Sequence, residues 1–171
     1  MLDKAIRQFL RDVEWGELDY LIVDMPPGTG DAQLTMVQAT QLAGGVIVTT
    51  PQDVALLDGR KGLAMFKQMN VPIFGFVENM SYFQLPGTTE PAQRVDIFGH
   101  GGGKKLAEET EVPFLGEVPI DPAIRQGGDE GKPIVAMDPN NVVSQAFISI
   151  AKQLAAQVSI HALAQEPALS T

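Results

Sequence analysis

Residues 18–31 read LDYLIVDMPPGTGD, and the reading of this stretch decides the fold. Leu18–Val23 is a short apolar run rich in β-formers, the pattern of a buried strand. It ends on Asp24, and two prolines, two glycines and Asp31 follow within seven residues. The backbone must therefore leave the sheet in a constrained loop. In open α/β sheets, ligands occupy the crevice beyond the carboxyl ends of the strands. Asp24 at such an end can hold a hard cation such as Mg²⁺ through water. Gly28 and Gly30 let main-chain N–H groups approach a terminal phosphate without a Cβ in the way. The residue types alone fit equally well a strand followed by a Pro/Gly turn whose aspartate caps a helix.

Upstream, Leu2, Ile6, Phe9, Leu10 and Val13 recur at helical spacing and predict an amphipathic helix. Trp15-Gly16 ends it, with Trp15 as a packing residue. Downstream, a helix is predicted over Asp31–Leu42, with Asp31 favouring its N-terminal dipole. Gly45–Thr50 (GVIVTT) reads as a second buried strand, closed by Pro51, which brings Thr49, Thr50, Pro51 and Gln52 to the crevice of Asp24. A long helix follows over Asp53–Met69. Pro72–Val77 reads as a third strand and delivers Glu78, Asn79 and Met80 to the same crevice. Tyr82–Asp96 reads as an irregular loop. Gly99–Gly103 opens a helix over Lys104–Glu111, and Phe114–Val118 is a fourth strand turning through Pro119, Ile120 and Asp121 into Pro122–Gln126. Asp138-Pro139 is a helix start, and Val143, Phe147, Ile150 and Leu154 stripe the last helix. Four β-then-α units imply a parallel sheet covered by helices on both faces. No repeat or linker divides the chain, so residues 1–158 read as one domain and 159–171 as a frayed tail.

Composition narrows the function. The chain has 171 residues, 44% of them hydrophobic, which suits an ordinary globular domain with a sizeable core. A net charge of −9 argues against a nucleic-acid surface. The absence of cysteine excludes disulfides and thiolate metal sites made by this chain alone. No apolar run reaches the roughly 20 residues of a membrane span, and the tail from Ser159 lacks the basic face of a membrane anchor. Nothing at the start resembles a signal peptide, so a cytoplasmic location is the default. His100 and His161 lie far apart without ligand spacing and read as surface residues; Glu90, Asp96 and His100 form no metal motif. Asn79 offers a donor and an acceptor and could read a purine edge, though from the residues alone a cap for the following turn is the favoured role. The glycine cluster at 99–103 can bind an anion at the helix start, but no Ser or Thr follows Lys104 as a phosphate loop needs. Close backbone packing or a mobile interface loop is the favoured reading.

Five longer strings sharpen this picture: IRQFLRDVEWGELDYLIVDMPPGTGD, VIVTTPQDVALLDGRKGLAMF, PIFGFVENMSYF, FGHGGGKKLAEE and PFLGEVPIDPAIRQGGDEGKPIV. Together they resemble the Mrp/ApbC family of P-loop ATPases in the MinD/ParA-like group, whose members are similar to iron–sulfur cluster carriers. The likeness runs from about Ile6 to Leu154 and covers the later portion of such a protein. It implies a P-loop NTPase-like α/β fold with ATP and Mg²⁺ as cofactors, an iron–sulfur cluster as cargo, a homodimer, and acceptor proteins as partners. By the resemblance Asp24 holds the Mg²⁺ shell, Gly28 senses the terminal phosphate, Asn79 reads adenine, and Pro119 and Asp121 line the base and ribose. Two features depart from the family. No glycine-rich run with Lys and then Ser or Thr precedes Asp24, and the Cys-x-x-Cys positions fall near Leu85 and Thr88, so no iron–sulfur ligands are present. In this group the strand feeding the phosphate loop lies mid-sheet, beside the Asp24 strand. The sheet is therefore expected either to close over a gap or to have it filled by another segment or chain. Hydrolysis by this chain alone is not expected, because the phosphate loop supplies the N–H cradle, the Lys and the Mg²⁺-binding hydroxyl. Two alternatives remain: a nucleotide-free dimerising or partner-binding remnant, and a MinD/ParA-like positioning ATPase.

Overall fold

A computed structural model describes residues 2–25, 28, 30–40, 42–85 and 93–165. Three parallel strands form the central sheet: β1 (Gly45–Thr49), β2 (Ile73–Glu78) and β5 (Phe114–Glu117), in the order β1-β2-β5. Each run carries apolar β-formers, and β2, in the middle, is buried at five of its six positions. This is what a central parallel strand with both faces covered requires. The register pairs Val48 with Val77 and Thr49 with Glu78 on one side of β2, and Glu78 with Glu117 on the other. The carboxyl ends of all three strands therefore finish at one level.

Helices cover both faces. On one face α3 (Asp53–Gln68) and α4 (Gly102–Thr110) pack Leu63, Phe66, Leu106 and Ala107 against Ile47 and Phe76. On the other, α7 (Val142–Gln165) lays Ile150 and Leu154 over Val77, Leu115 and Val118. Burial of a side chain such as Phe76, 0% exposed, contributes about 1.5–3 kcal/mol. Shorter elements complete the chain: α1 (Leu2–Asp12), α2 (Asp31–Ala39), α5 (Pro122–Glu130) and α6 (Ile134–Met137). A two-residue antiparallel ribbon, β3 (Phe83–Gln84) with β4 (Arg94–Val95), replaces part of the irregular loop expected at 82–96.

The largest departure from expectation is the run Leu18–Val23. It forms no strand and pairs with no other segment among the described residues. Leu18, Tyr20, Leu21 and Ile22 are exposed, Ile22 by 73%, and so is Trp15, which caps no core. The physical reason is that a strand exists only as a pair. Among the described residues no segment lies beside this run to pair with it. The sheet has not closed over the gap: β1 keeps its outer edge unpaired among the described residues. Met25, at the end of the run, still packs against the core cluster beneath α3.

Two helix ends also differ. Asp138 does not begin the last helix; Asn141 does, its Oδ1 accepting from Val143 N at 2.8 Å. That helix continues past Ser159 to Gln165, carried by His161, whose ring meets Phe74 edge-on at 5.8 Å. His161 is thus half-buried rather than a surface residue.

Candidate functional site

The crevice predicted at the carboxyl ends is present. A cleft of about 340 Å³ is lined by Ile47, Val48, Thr49, Thr50, Ala55, Asp58, Gly59, Gly28 and Asn79. Sequence elements far apart thereby converge: the end of β1, the first turns of α3, the residue after β2 and the loop before α2. Gly28 has φ +95°, a left-handed value that glycine tolerates, and an added Cβ would meet nothing within 4 Å. Its backbone faces open space, as approach by a phosphate would need. Asn79 is half-buried and donates its backbone N–H to Thr49 O at 2.7 Å, which fixes its place at the cleft floor. Its Oδ1 accepts from Met80 N at 2.9 Å. The side chain therefore caps the following turn, while its Nδ2 donor has no hydrogen bond among the described residues. The turn-capping role weighed from the sequence is the one this geometry shows.

The other expected site residues are placed differently. Asp24 is exposed and does not line the cleft. Pro26, Pro27, Thr29, Thr88 and Glu90 lie outside the described residues. Pro119 is buried, and Asp121 caps α5, its Oδ1 accepting from Ala123 N at 2.8 Å. Neither lines the cleft. Leu85, at the first Cys-x-x-Cys position, is 41% exposed.

Beside the cleft lies an arrangement that reading the chain in order did not bring together. Glu78, the last residue of β2, is fully buried. Its Oε1 accepts from Ser81 Oγ at 2.5 Å and from Gly101 N at 2.9 Å, and its Oε2 accepts from Gly103 N at 2.6 Å. Charge-assisted bonds of this kind offset the cost of burying a carboxylate. The glycine cluster before α4 thus does bind an anion at a helix start, and the anion is internal. At Gly103 the backbone comes close to this carboxylate: a Cβ there would sit 3.1 Å from Glu78 Cβ and Oε2 and 3.3 Å from Thr49 Cγ2, a tight fit that favours glycine. Close backbone packing was the right expectation for this loop. His100, in the same loop, places Nε2 3.2 Å from Glu117 Oε2 at the end of β5. Tyr82 meets the imidazole edge-on at 6.3 Å, and Arg94 places its guanidinium over the Tyr82 ring, 3.8 Å from the centroid. His100 is accordingly a structured residue. The signal that could have found this group is two glutamates ending neighbouring strands in register.

Among the described residues, no helix is long and apolar enough to cross a membrane.

Comparison with known proteins agrees with this architecture. The sequence pattern of the ParA family, described as NUBPL iron-transfer P-loop NTPase, matches residues 1–155. An iron-sulfur cluster carrier protein of Synechocystis sp. is 57% identical over 163 residues, 95% of this chain and 46% of that protein. The iron-sulfur cluster transfer protein NUBPL of Mus musculus is 46% identical over 154 residues, 90% of this chain and 47% of that protein. The chain thus spans about half the length of the curated relatives it matches. Among solved structures, a nucleotide-binding protein from Archaeoglobus fulgidus, in complex with ADP and with Co found in it, superposes with a TM-score of 0.69 at 39% identity, covering 82% of this chain and 55% of that one. The cell division ATPase MinD of Pyrococcus furiosus superposes with a TM-score of 0.63 at 24% identity, over 91% of this chain and 57% of that one, a likeness of fold alone.

Proposed function

The chain belongs to the ParA family of NUBPL-type iron-transfer P-loop NTPases, and from that premise we propose that it forms the Mg²⁺-positioning and adenine-binding half of an ATP site whose turnover drives iron–sulfur cluster transfer. The observation that carries the proposal is the convergence of Gly28, Thr49, Thr50 and Asn79 on one cleft at the carboxyl end of a parallel sheet. That is where α/β proteins hold nucleotides. The residues fit half of such a site. Gly28 offers an unobstructed main chain to a terminal phosphate, and Asn79 keeps an amide donor for the base. Asp24, which is exposed, would hold the Mg²⁺ shell through water. Pro119 and Asp121 support the base-side loop through the α5 cap rather than by lining the cleft. The chain's own part is to orient the nucleotide, through Gly28 and Asn79, and the attacking water.

The cargo end of the proposal is a homodimer acting in the cytoplasm and passing clusters to acceptor proteins. Its support is the naming of relatives 46–57% identical as carrier and transfer proteins, which also favours it over a positioning ATPase. With no cysteine in the sequence, the thiolates that bind such a cluster come from outside this chain. That composition, together with the exposed run Leu18–Ile22, favours as second reading a partner-binding role without nucleotide.

Titration with a fluorescent ATP analogue separates the two. Under the first reading the full chain binds it in a Mg²⁺-dependent manner, Asp24→Ala abolishes that binding and Asn79→Ala weakens it. Binding that is absent, or indifferent to both substitutions, overturns the first reading in favour of the second.

A further inference from the structure

We propose that Glu78, His100 and Glu117 form a site for one divalent transition-metal ion of borderline character, such as Zn²⁺, Co²⁺ or Fe²⁺. The site is separate from the Mg²⁺ shell assigned to Asp24 and does not depend on nucleotide. Three elements contribute to it: the end of β2, the loop before α4 and the end of β5. One ligand atom from each of the three side chains lies within 4.8 Å of the others. A zinc-like ion needs nitrogen and oxygen ligands at about 2.0–2.2 Å, so a small closing of these side chains completes the shell. His100 and Glu117 have already made most of that approach, at 3.2 Å.

Electrostatics provides the argument for a cation here. The register sets Glu78 directly beside Glu117 on adjacent strands, and two carboxylates in that position repel, the more so because Glu78 is fully buried. Among the described residues, no Lys or Arg forms an ion pair with either of them; His100 is the partner Glu117 has. Hydrogen bonds to Glu78 from Ser81, Gly101 and Gly103 occupy three of about four lone-pair positions. The position left is on Oε2. The same three bonds fix the carboxylate's orientation, as outer-shell partners do for metal ligands. Tyr82 holds the imidazole from its edge. On the outer side His100 is 40% and Glu117 24% exposed, which gives an ion a route in and water a coordination position. One imidazole nitrogen with carboxylate oxygens suits ions between the hard and soft extremes.

The test uses the full chain, freed of metal with a chelator and titrated with Co²⁺ in the absence of nucleotide. Calorimetry and the visible d–d absorption of Co²⁺ report stoichiometry and affinity. The expected result is one saturable Co²⁺ per chain, with the His100 ring proton signals shifted by the paramagnetic ion. His100→Ala and Glu117→Gln, both at partly exposed positions, should each weaken binding about tenfold or more while leaving the circular dichroism spectrum unchanged. Asp24→Ala should bind Co²⁺ as the parent does. No saturable uptake, an unshifted His100 signal, or equal affinity in the folded Glu117→Gln variant would overturn the proposal.

Discussion

Two runs of this chain share a pattern and have opposite fates. Leu18–Asp24 reads LDYLIVD and Pro72–Glu78 reads PIFGFVE: each is apolar, rich in β-formers and ends on a carboxylate. The second is the central strand, hydrogen-bonded on both edges, with helices over both faces and its carboxylate clasped by three donors. The first has no ladder partner among the described residues, and its side chains face solvent. The difference is not in propensity, which is alike for both. It lies in what each run finds beside it, since strand stability is made of cross-strand pairs.

Hydrogen exchange offers the widest test of that contrast. Amides of Phe76 and Val77 should exchange only through global opening, those of Leu21 and Ile22 through none, so their rates should differ by a factor on the order of a thousand or more. Comparable protection in the two runs would break the comparison outright. Chemical denaturation of two truncations comes next. Phe76→Ala should cost about 3–5 kcal/mol, whereas Ile22→Ala should stay within about 0.5 kcal/mol of the parent. The terminal carboxylates should divide in the same way. Glu78→Gln turns an acceptor into a donor facing buried N–H groups and should cost about 1–3 kcal/mol, while Asp24→Asn, at an exposed position, leaves the denaturation midpoint where it was.

The smallest effect concerns the outer surface of the well-packed half, where Arg60 on α3 forms an ion pair with Glu109 on α4. The hydrogen bond from Arg60 holds the Glu109 carboxyl below its ordinary value, opposed by partial desolvation. A lowered value in the folded state means that the pair stabilises the fold above the ordinary carboxylate range and that this contribution is lost as pH falls through the folded value. Because both side chains are about half exposed, solvent screening keeps the contribution small. Carbon-detected NMR titration should show Arg60→Ala moving the Glu109 midpoint upward, with little change in melting temperature. An unmoved midpoint would show that α3 and α4 are joined by their apolar contacts alone.

Much of the fold was legible because its signals are local. The runs GVIVT, IFGFVE and FLGE each carry their own strand pattern, and the stripe through Val143, Ile150 and Leu154 marks the buried side of α7. The largest failure has a non-local cause. Leu18–Val23 has no partner strand among the described residues, and Trp15 beside it is exposed. The site was legible in part for the same reason. Gly28, Thr49, Thr50 and Asn79 follow strand ends or the constrained loop and could be placed by topology, whereas the juxtaposition of Glu78, His100 and Glu117 needs the register of β2 on β5 and the fold-back of the 99–103 loop. Asp121 and Asp138 show a further limit. Carboxylates near Pro at helix starts all read alike, yet the helix after Asp121 is capped by it and the helix after Asp138 is capped by Asn141.

The outer edge of β1, unpaired among the described residues, has a practical meaning for anyone who handles this chain. Five residues, GVIVT, carry no charge and no proline, and Val48 is 62% exposed. Such an edge is a template on which another extended segment can grow a ladder. Association through such an edge rises with concentration, so dilution rather than cooling is the condition expected to keep these chains apart.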